Sequence, residues 1–159
     1  MKNNVANLQE KDFKLKGVYK FTLKNIVTGE VRVIEKKNLI TTAGKNYVVS
    51  RLMQDGTPLN MRITHTALGT GATAPAITDT QLQTETFRKA TASATSSGNV
   101  GYLSAYYTAP EVTGTFKEVG LFINGTSTAN TGTLFSRVAV DITKSAIETL
   151  TIDYTITLS

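Results

Sequence analysis

Cysteine and tryptophan are absent from the 159 residues, and the chain has one histidine and three prolines. Without cysteine there can be no disulfide bond, zinc–thiolate site or thiol nucleophile. One histidine and scattered carboxylates do not form the cluster that a metal site requires. The amino-terminal segment has no apolar run of signal-peptide length, and no stretch approaches the roughly 20 apolar residues of a membrane span. We therefore expect a protein made in the cytoplasm, without cofactor, metal or membrane insertion.

Known catalytic patterns are missing as well. Gly69 and Gly71 are not followed by the lysine of a phosphate-binding loop or by the third glycine of a dinucleotide site. His65 falls on the partly apolar face of a predicted strand, which indicates a packed, hydrogen-bonded histidine. A hydrolase centred on His65 is the alternative, and it would need a carboxylate beside an accessible ring. Asp79 and Glu85 come nearest to a carboxylate pair, but their spacing indicates ordinary surface charges, so we expect no enzymatic activity.

The composition that is present favours β-structure. Hydrophobic residues make up 40% of the chain, enough for a core, whereas charged residues make up 18%. Threonine is abundant, and its β-branched side chain suits a half-buried pleated surface. Segments of alternating apolar and polar residues recur between turn signals, which is typical of an antiparallel β-sandwich. They lie at residues 17–24, 31–34, 61–68, 85–94, 100–107, 116–123, 134–140 and 148–158.

The alternation is clearest in the last of these segments. Its apolar positions predict a buried face. Its polar positions are almost free of charge, which makes them suitable for contact with another subunit. The apolar set is Leu150, Ile152, Tyr154, Ile156 and Leu158, and the polar set is Thr149, Thr151, Asp153, Thr155 and Thr157.

One segment has helical periodicity instead. Thr41 or Thr42 can cap a helix over about residues 43–54, and the Asp-Gly-Thr-Pro sequence that follows ends it. Residues 1–16 show neither period and are expected to form an extended arm. Residues 17–159 then form a single mainly β domain, since no linker divides them.

Positive charge is concentrated near the amino terminus. The chain has a net charge of +5, and nine of its lysines and arginines precede residue 38. The lysines of the arm are Lys2, Lys11, Lys14 and Lys16. An arm of this charge suits docking on an acidic partner or on nucleic acid, and a solvated tail that keeps a threonine-rich protein soluble is the alternative. We expect the arm to dock on a neighbouring subunit. Nucleic acid is not expected as a partner, because no aromatic residues alternate with the basic ones as a base-stacking platform requires.

Five segments in a fixed order carry a resemblance to a known family. They read NLITTAGK at residues 38–45, ITHTALGTG at 63–71, DTQLQTETFRK at 79–89, KEVGLF at 117–122 and GTLFSR at 132–137. The series, which spans roughly residues 38–158, resembles small tail-associated proteins of bacteriophages and prophages. It is also similar to the amino-terminal region of phage tail-collar fibre proteins.

The resemblance implies a non-enzymatic virion structural protein, an adaptor or fibre-attachment subunit of the tail, collar or baseplate. Its expected partners are other virion proteins and further copies of itself. The fibre proteins commonly continue into fibre repeats, whereas this sequence does not, which favours an attachment role over receptor contact. A capsid decoration protein is one alternative. Another is a glycan-binding receptor module that uses Tyr102, Tyr106 or Tyr107, although tyrosines that pack across strands are the simpler interpretation.

Several residues inside the resembling segments have a structural interpretation. Gly69 and Gly71 permit backbone angles that are closed to other residues, and they would shape the loop that follows. Glu118 lies in an otherwise apolar strand, and a buried carboxylate needs a partner. Arg88 and Arg137 are the two candidates for this buried ion pair, and the sequence does not choose between them.

Overall fold

A computed structural model of the chain describes residues 14–53 and 62–159. These residues form ten β-strands and one α-helix. The strands are β1 Leu15–Asn25, β2 Val31–Lys37, β3 Leu39–Ile40, β4 Ile63–Gly69, β5 Glu85–Ala90, β6 Ser93–Ser97, β7 Val100–Tyr107, β8 Gly114–Ile123, β9 Thr133–Lys144 and β10 Glu148–Leu158. The helix, α1, is Thr42–Met53. Within the described ranges, no helix has the length and apolar character needed to cross a membrane.

The strands form two five-stranded sheets with the hydrophobic core between them. Sheet A has the order β2-β1-β10-β7-β6, and sheet B has the order β3-β9-β8-β4-β5. Every recorded strand pairing is antiparallel. The molecule is therefore an antiparallel β-sandwich with one short helix, which confirms the predicted fold class.

The position of β10 explains its alternation, because this strand is central in sheet A. Leu150, Ile152 and Tyr154 are at most 1% exposed and belong to the main hydrophobic cluster. Burying a side chain of this size stabilises a fold by about 1.5–3 kcal/mol. The predicted buried face is confirmed for these three residues, while Ile156 and Leu158 near the strand end are half-buried.

Helix α1 lies against β9 of sheet B. Its start is fixed by Thr41, whose hydroxyl accepts a hydrogen bond from the Gly44 N–H at 3.0 Å and donates one to the Leu134 carbonyl at 2.6 Å. Thr41 is therefore the N-cap residue. Gly44 permits the close contact with β9, because a Cβ at this position would lie 2.5 Å from the Phe135 carbonyl oxygen.

Residues 85–94, predicted as one strand, form two strands in different sheets. The chain crosses from β5 in sheet B to β6 in sheet A at Thr91 and Ala92. The Thr91 N–H donates to the Thr64 carbonyl in β4, whereas the Ala92 N–H donates to the Ser104 carbonyl in β7. The prediction of a single strand is wrong, because alternation within a segment does not reveal which sheet each part joins.

Strand β1 begins before the predicted end of the arm. Lys16 lies within β1, paired with β10, and Lys14 exchanges backbone hydrogen bonds with Ser159 at 2.6 and 2.9 Å. The boundary after residue 16 is therefore wrong by two residues, because pairing with β10 extends the strand beyond the point where alternation starts. Lys2 and Lys11 lie outside the described residues.

Candidate functional site

The outer face of sheet B is covered by part of the chain. A second hydrophobic cluster lies there, apart from the main core, and its members are Ala67, Leu82, Phe122 and Leu134. Leu82 comes from the connection between β4 and β5, so this connection crosses the sheet. We call residues 70–84 the covering loop.

Glu118 fastens the covering loop to the sheet. It is fully buried, although it stands in the apolar strand β8. Its carboxylate accepts hydrogen bonds from the backbone N–H groups of Gly71, Gln83 and Thr84, at 3.1, 3.0 and 2.7 Å. These donors lie at the two ends of the covering loop. One carboxylate therefore closes both ends of the loop onto β8.

Arg137 of β9 supplies the charge opposite Glu118. Its Nε donates to the Glu118 carboxylate at 2.8 Å and its Nη1 donates to Asp79 Oδ2 at 2.7 Å, so one guanidinium joins two carboxylates. Its Nη2 donates to the Thr73 carbonyl at 3.1 Å, near the start of the covering loop. Burial alone would raise the pKa of the Asp79 carboxyl, but the Ala76 N–H and the Arg137 guanidinium hold this pKa below its usual range.

Gly69 and Gly71 are required for space rather than for backbone conformation. Neither is among the glycines with positive φ. A Cβ on Gly69 would lie 2.6 Å from Glu118 Oε1, and a Cβ on Gly71 would lie 2.5 Å from the same oxygen. The predicted reason for these glycines is therefore wrong, because it is the close approach of the backbone to a buried carboxylate that excludes a side chain.

Arg88 does not reach Glu118. Its Nε and Nη2 bind the two oxygens of Glu85 at 2.7 and 2.8 Å, and both side chains of this bidentate pair are buried. Its Nη1 donates to the Thr131 carbonyl at 2.7 Å, and its guanidinium lies 4.2 Å from the centre of the Phe122 ring. Arg88 is thus the wrong one of the two candidate partners, and it fastens the loop between β8 and β9 instead.

The two arginine clusters hold loops in place. The ion-paired side chains of Glu118 and Arg137 are only 1% and 3% exposed. A substrate could not reach these charges unless the covering loop opened. Asp79 and Glu85 each bind an arginine, so their interpretation as ordinary surface charges is wrong. Within the described residues, no group of three or more histidine, aspartate or glutamate side chains is placed to hold a metal ion.

His65 lies in β4 and is half-buried. Its Nδ1 is 3.0 Å from the Thr64 hydroxyl, as expected for a hydrogen-bonded histidine. Burial lowers the pKa of the ring, and the Arg88 guanidinium lowers it further. Glu85, whose charge also acts on the ring, has both oxygens bound by Arg88, so it is not free to orient the ring as a catalytic triad requires.

The tyrosines of β7 divide between the two faces of sheet A. Tyr107 is fully buried, and its hydroxyl donates to the Thr66 carbonyl at 3.3 Å. Burial raises the pKa of this tyrosine. Tyr102 and Tyr106 are 50% and 45% exposed on the opposite face. Packing across strands therefore describes Tyr107, while the other two tyrosines lie on an open surface.

This open surface is the outer side of β10, β7 and β6. The strand register places Thr151 beside Tyr106 in the two central strands. Asp153 is the one charged side chain of the set, and it lies opposite Lys20 of β1, which balances its charge. We call the surface the Thr/Tyr face. It consists of Thr149, Thr151, Asp153, Thr155, Thr157, Val100, Tyr102, Ser104, Tyr106, Ser93, Thr95 and Ser97.

The two outer faces of the sandwich differ in cover and in charge. The outer face of sheet B is covered by loops that buried ion pairs fasten, whereas no segment of the described chain crosses the Thr/Tyr face. The rest of sheet A, formed by β1 and β2, presents Lys20, Lys24 and Lys37 on the same side. The Thr/Tyr face therefore combines solvent exposure with low charge.

A groove of about 560 Å³ at the end of sheet A gathers part of the basic charge. Lys16 lies there with Lys37 and Lys45, beside apolar residues that include Leu39 and Ile77. The sequence alone does not connect Lys16, which it predicts in the arm, with Lys45, because these residues meet only when β1 pairs in the sheet and α1 packs beside it. Of the two docking lysines that the structure describes, Lys16 lines the groove and Lys14 does not.

No protein-family model matches the chain, and no curated protein or solved structure is significantly similar to it.

Proposed function

We propose that the chain is a non-enzymatic structural subunit of a bacteriophage particle, in its tail, collar or baseplate, and that it binds other virion proteins and copies of itself. One observation carries this proposal: residues from separate resembling segments meet in a single cluster. Gly69 and Gly71 come from one segment, and Asp79, Glu118 and Arg137 come from three others. All of them bond to one another or leave room for one another.

The convergence of these segments supports a role in assembly. The matched residues fix the shape of the covering loop, and the side chains of Glu118 and Arg137 at its centre are closed to solvent. A subunit that works by contact needs a rigid shape and one free surface, whereas an enzyme needs a site that substrate can enter. The covered face of sheet B provides the rigid shape, and the Thr/Tyr face provides the free surface.

The Thr/Tyr face is the surface that we assign to a virion partner. Interface centres are depleted in charged residues and enriched in aromatic ones. Tyr102 and Tyr106 provide exposed aromatic area, and the surrounding threonines cost less to bury than charged side chains when their hydroxyls find hydrogen-bond partners. The basic half of sheet A would then lie outside the contact.

Incorporation into particles tests the proposal. Thr155 lies in the Thr/Tyr face beside Tyr102, whereas Val33 is 52% exposed on the edge strand β2. Thr155→Lys and Val33→Lys add the same charge to the same sheet. We expect Thr155→Lys to reduce the amount of chain that co-sediments with particles about tenfold, the effect of losing about 1.4 kcal/mol of binding. Val33→Lys should remain at the wild-type level.

Absence of the wild-type chain from purified particles of the virus that encodes it would overturn the proposal. Electron microscopy of particles that carry a labelled chain would distinguish tail, collar and baseplate from the alternative location on the capsid surface.

The basic arm is the second docking element of the proposal. Lys14 and Lys16 are exposed at the end of sheet A, while Lys2 and Lys11 lie outside the described residues. We expect a chain without residues 1–13 to fold, because the sandwich is formed by residues that follow them, and to be lost from particles. Normal incorporation of the shortened chain would remove the arm from the proposal.

A glycan-binding module is the second candidate, favoured by the exposure of Tyr102 and Tyr106 on one face. Residues four apart in a strand are separated by about 13 Å, so a short oligosaccharide could contact both rings. A recess of about 440 Å³ beside Tyr106 is lined by Lys24 and by threonines, which can hydrogen-bond to sugar hydroxyls.

Glycan-array binding that Tyr106→Ala abolishes would support the glycan-binding candidate. Ile147→Ala, at another exposed position, serves as the control. An array without binding, together with normal incorporation into particles, would support the structural role and exclude glycan binding.

A further inference from the structure

Strand β6 is the least protected edge of the sandwich. Its five residues, Ser93–Ser97, are all exposed, and none is charged or a proline. Edge strands are usually shielded by lysine, proline, a bulge or extreme shortness, because their free N–H and C=O groups recruit other strands. The other edge of sheet A, β2, has such protection, since Arg32, Lys36 and Lys37 outnumber its one acidic residue.

The hairpin geometry shows which groups β6 leaves free. β6 and β7 are joined by a two-residue turn between Ser97 and Val100, and Gly98 has the positive φ of 57° that a type II′ turn requires at its first position. The pair that closes such a turn exchanges hydrogen bonds, and the bonding residues alternate from there. Ala94 and Ser96 therefore direct their N–H and C=O groups away from β7.

The flank beside β6 has one exposed cation, Arg62, which lines a recess with Ala94 and Thr95, and its other charges are paired. Two residues separate β6 from β5, the edge of sheet B on the same side. The charges on β5 are paired: Glu85 binds Arg88, and Lys89 binds Glu111 at 2.6 Å. Two copies of a chain with net charge +5 repel each other. They approach most easily where the net charge that faces the other copy is smallest.

We infer that β6 pairs antiparallel with β6 of a second copy of the chain, so that two five-stranded sheets join across a twofold axis. This inference rests on the proposed assembly role and names one partner in it. With Thr95 on the axis, the outward groups of Ala94 exchange hydrogen bonds with those of the partner's Ser96. The side chains that meet are small and uncharged, and threonine pairs across strands are favourable.

The space beneath β6 supports the same arrangement. A recess of about 160 Å³ lies at this edge, and its lining includes the apolar residues Ala94, Leu103 and Ile156 together with Arg62. A second sandwich at this edge would shield its apolar lining from water, which adds a hydrophobic contribution to the hydrogen bonds of the strands.

Sedimentation equilibrium of the full chain tests the inference, over concentrations from about 10 µM to about 1 mM because a short strand pair gives weak association. We expect a monomer–dimer equilibrium that Thr95→Lys weakens about tenfold or more, since it places like charges opposite each other. Val33→Lys is the matched control, with the same charge on the other exposed edge strand, and should leave the equilibrium unchanged.

Amide hydrogen exchange provides a measurement that needs no variant. The Ala94 and Ser96 N–H groups should become protected as the concentration of the wild-type chain rises, while amides in β2 should not. A wild-type chain that stays monomeric, or a dimer that Thr155→Lys disrupts and Thr95→Lys does not, would overturn the inference. If the chain is monomeric and still enters particles, the inference fails and the proposed function stands. If the chain dimerises through β6 but is absent from particles, the inference stands and the proposed function fails.

Discussion

Replacement of Glu118 by glutamine tests the central contact of the covered face. The change keeps the shape of the side chain and removes its charge. In the native protein both carboxylate oxygens accept N–H groups, because Thr84 and Gly71 donate to one oxygen while Gln83 and Arg137 donate to the other. Glutamine has one acceptor oxygen and one NH₂ group. Whichever way it turns, its NH₂ group faces donors.

The magnitude follows from these contacts. Removing one partner of a buried ion pair destabilises a protein by about 3–5 kcal/mol. A buried N–H without a partner costs about 1–3 kcal/mol, much of which is already counted in the first figure. Arg137 keeps its bond to Asp79, which places the expected loss near the lower end, at about 3 kcal/mol. For a chain of this length each kcal/mol corresponds to about 2–4 °C, so Tm should fall by about 6–12 °C.

Urea and thermal unfolding of Glu118→Gln beside Glu30→Gln measure the effect. Glu30 is exposed in the turn between β1 and β2, so its replacement removes the same charge and should change stability by less than about 0.5 kcal/mol. Amide exchange at Gly71, Gln83 and Thr84 should accelerate in the Glu118 variant alone. Equal midpoints for the two variants, with unchanged exchange at these amides, would refute the assignment of a stabilising role to the buried carboxylate.

Three further predictions concern the covering loop, the core and the buried tyrosines. Gly71→Ala should destabilise by about 1–3 kcal/mol, since its Cβ would overlap Glu118, whereas Thr70→Ala at the exposed neighbouring position should have little effect in the same urea assay. Thr66→Val should leave the urea midpoint unchanged or raise it, because the buried Thr66 hydroxyl has no hydrogen-bond partner among the described residues. Burial raises the pKa of Tyr154 to about 12, so its contribution to stability is present below pH 10 and is lost as pH rises from 10 to 12. Tyr154→Phe should reduce the fall of the urea midpoint across this pH range, and an unchanged fall would contradict that assignment.

The sequence predicts well the features that depend on periodicity and on single conspicuous residues. The alternation in β10 identified Leu150, Ile152 and Tyr154 as buried, because neighbouring side chains of a strand point to opposite faces. Glu118 was recognisable because a carboxylate in an apolar strand must find a partner. The choice of Arg137 over Arg88 required the strand register, since Arg137 lies opposite Gly120, two residues beyond Glu118, on the same face of sheet B.

The pairing of Glu85 with Arg88 was not predictable from alternation. Residues three apart in a regular strand point to opposite faces. In β5 the register shifts between Phe87, which lies opposite Leu68, and Glu85, which lies opposite Gly69. One extra residue is accommodated there, and it brings Glu85 onto the face that Arg88 occupies. A bulge of this kind reverses the face of every residue beyond it, and strict alternation contains no signal of its presence.

The difference in cover and charge between the faces also affects how readily free copies of the chain associate. An uncharged sheet face beside an unshielded edge promotes association, and soluble proteins usually block such edges. Here the blocking charges lie elsewhere, on β1 and β2 and in the first residues of the sequence. General repulsion between copies of net charge +5 slows random association, and it weakens with salt because exposed charges are screened.

The Thr/Tyr face and β6 carry almost none of this charge, so a partner that neutralises the basic side would favour contact at both surfaces together. We therefore expect a higher salt concentration to strengthen association of the wild-type chain, while association of Thr95→Lys stays weaker than that of the wild type. Dimers that dissociate as salt rises would show instead that ion pairs hold the copies together.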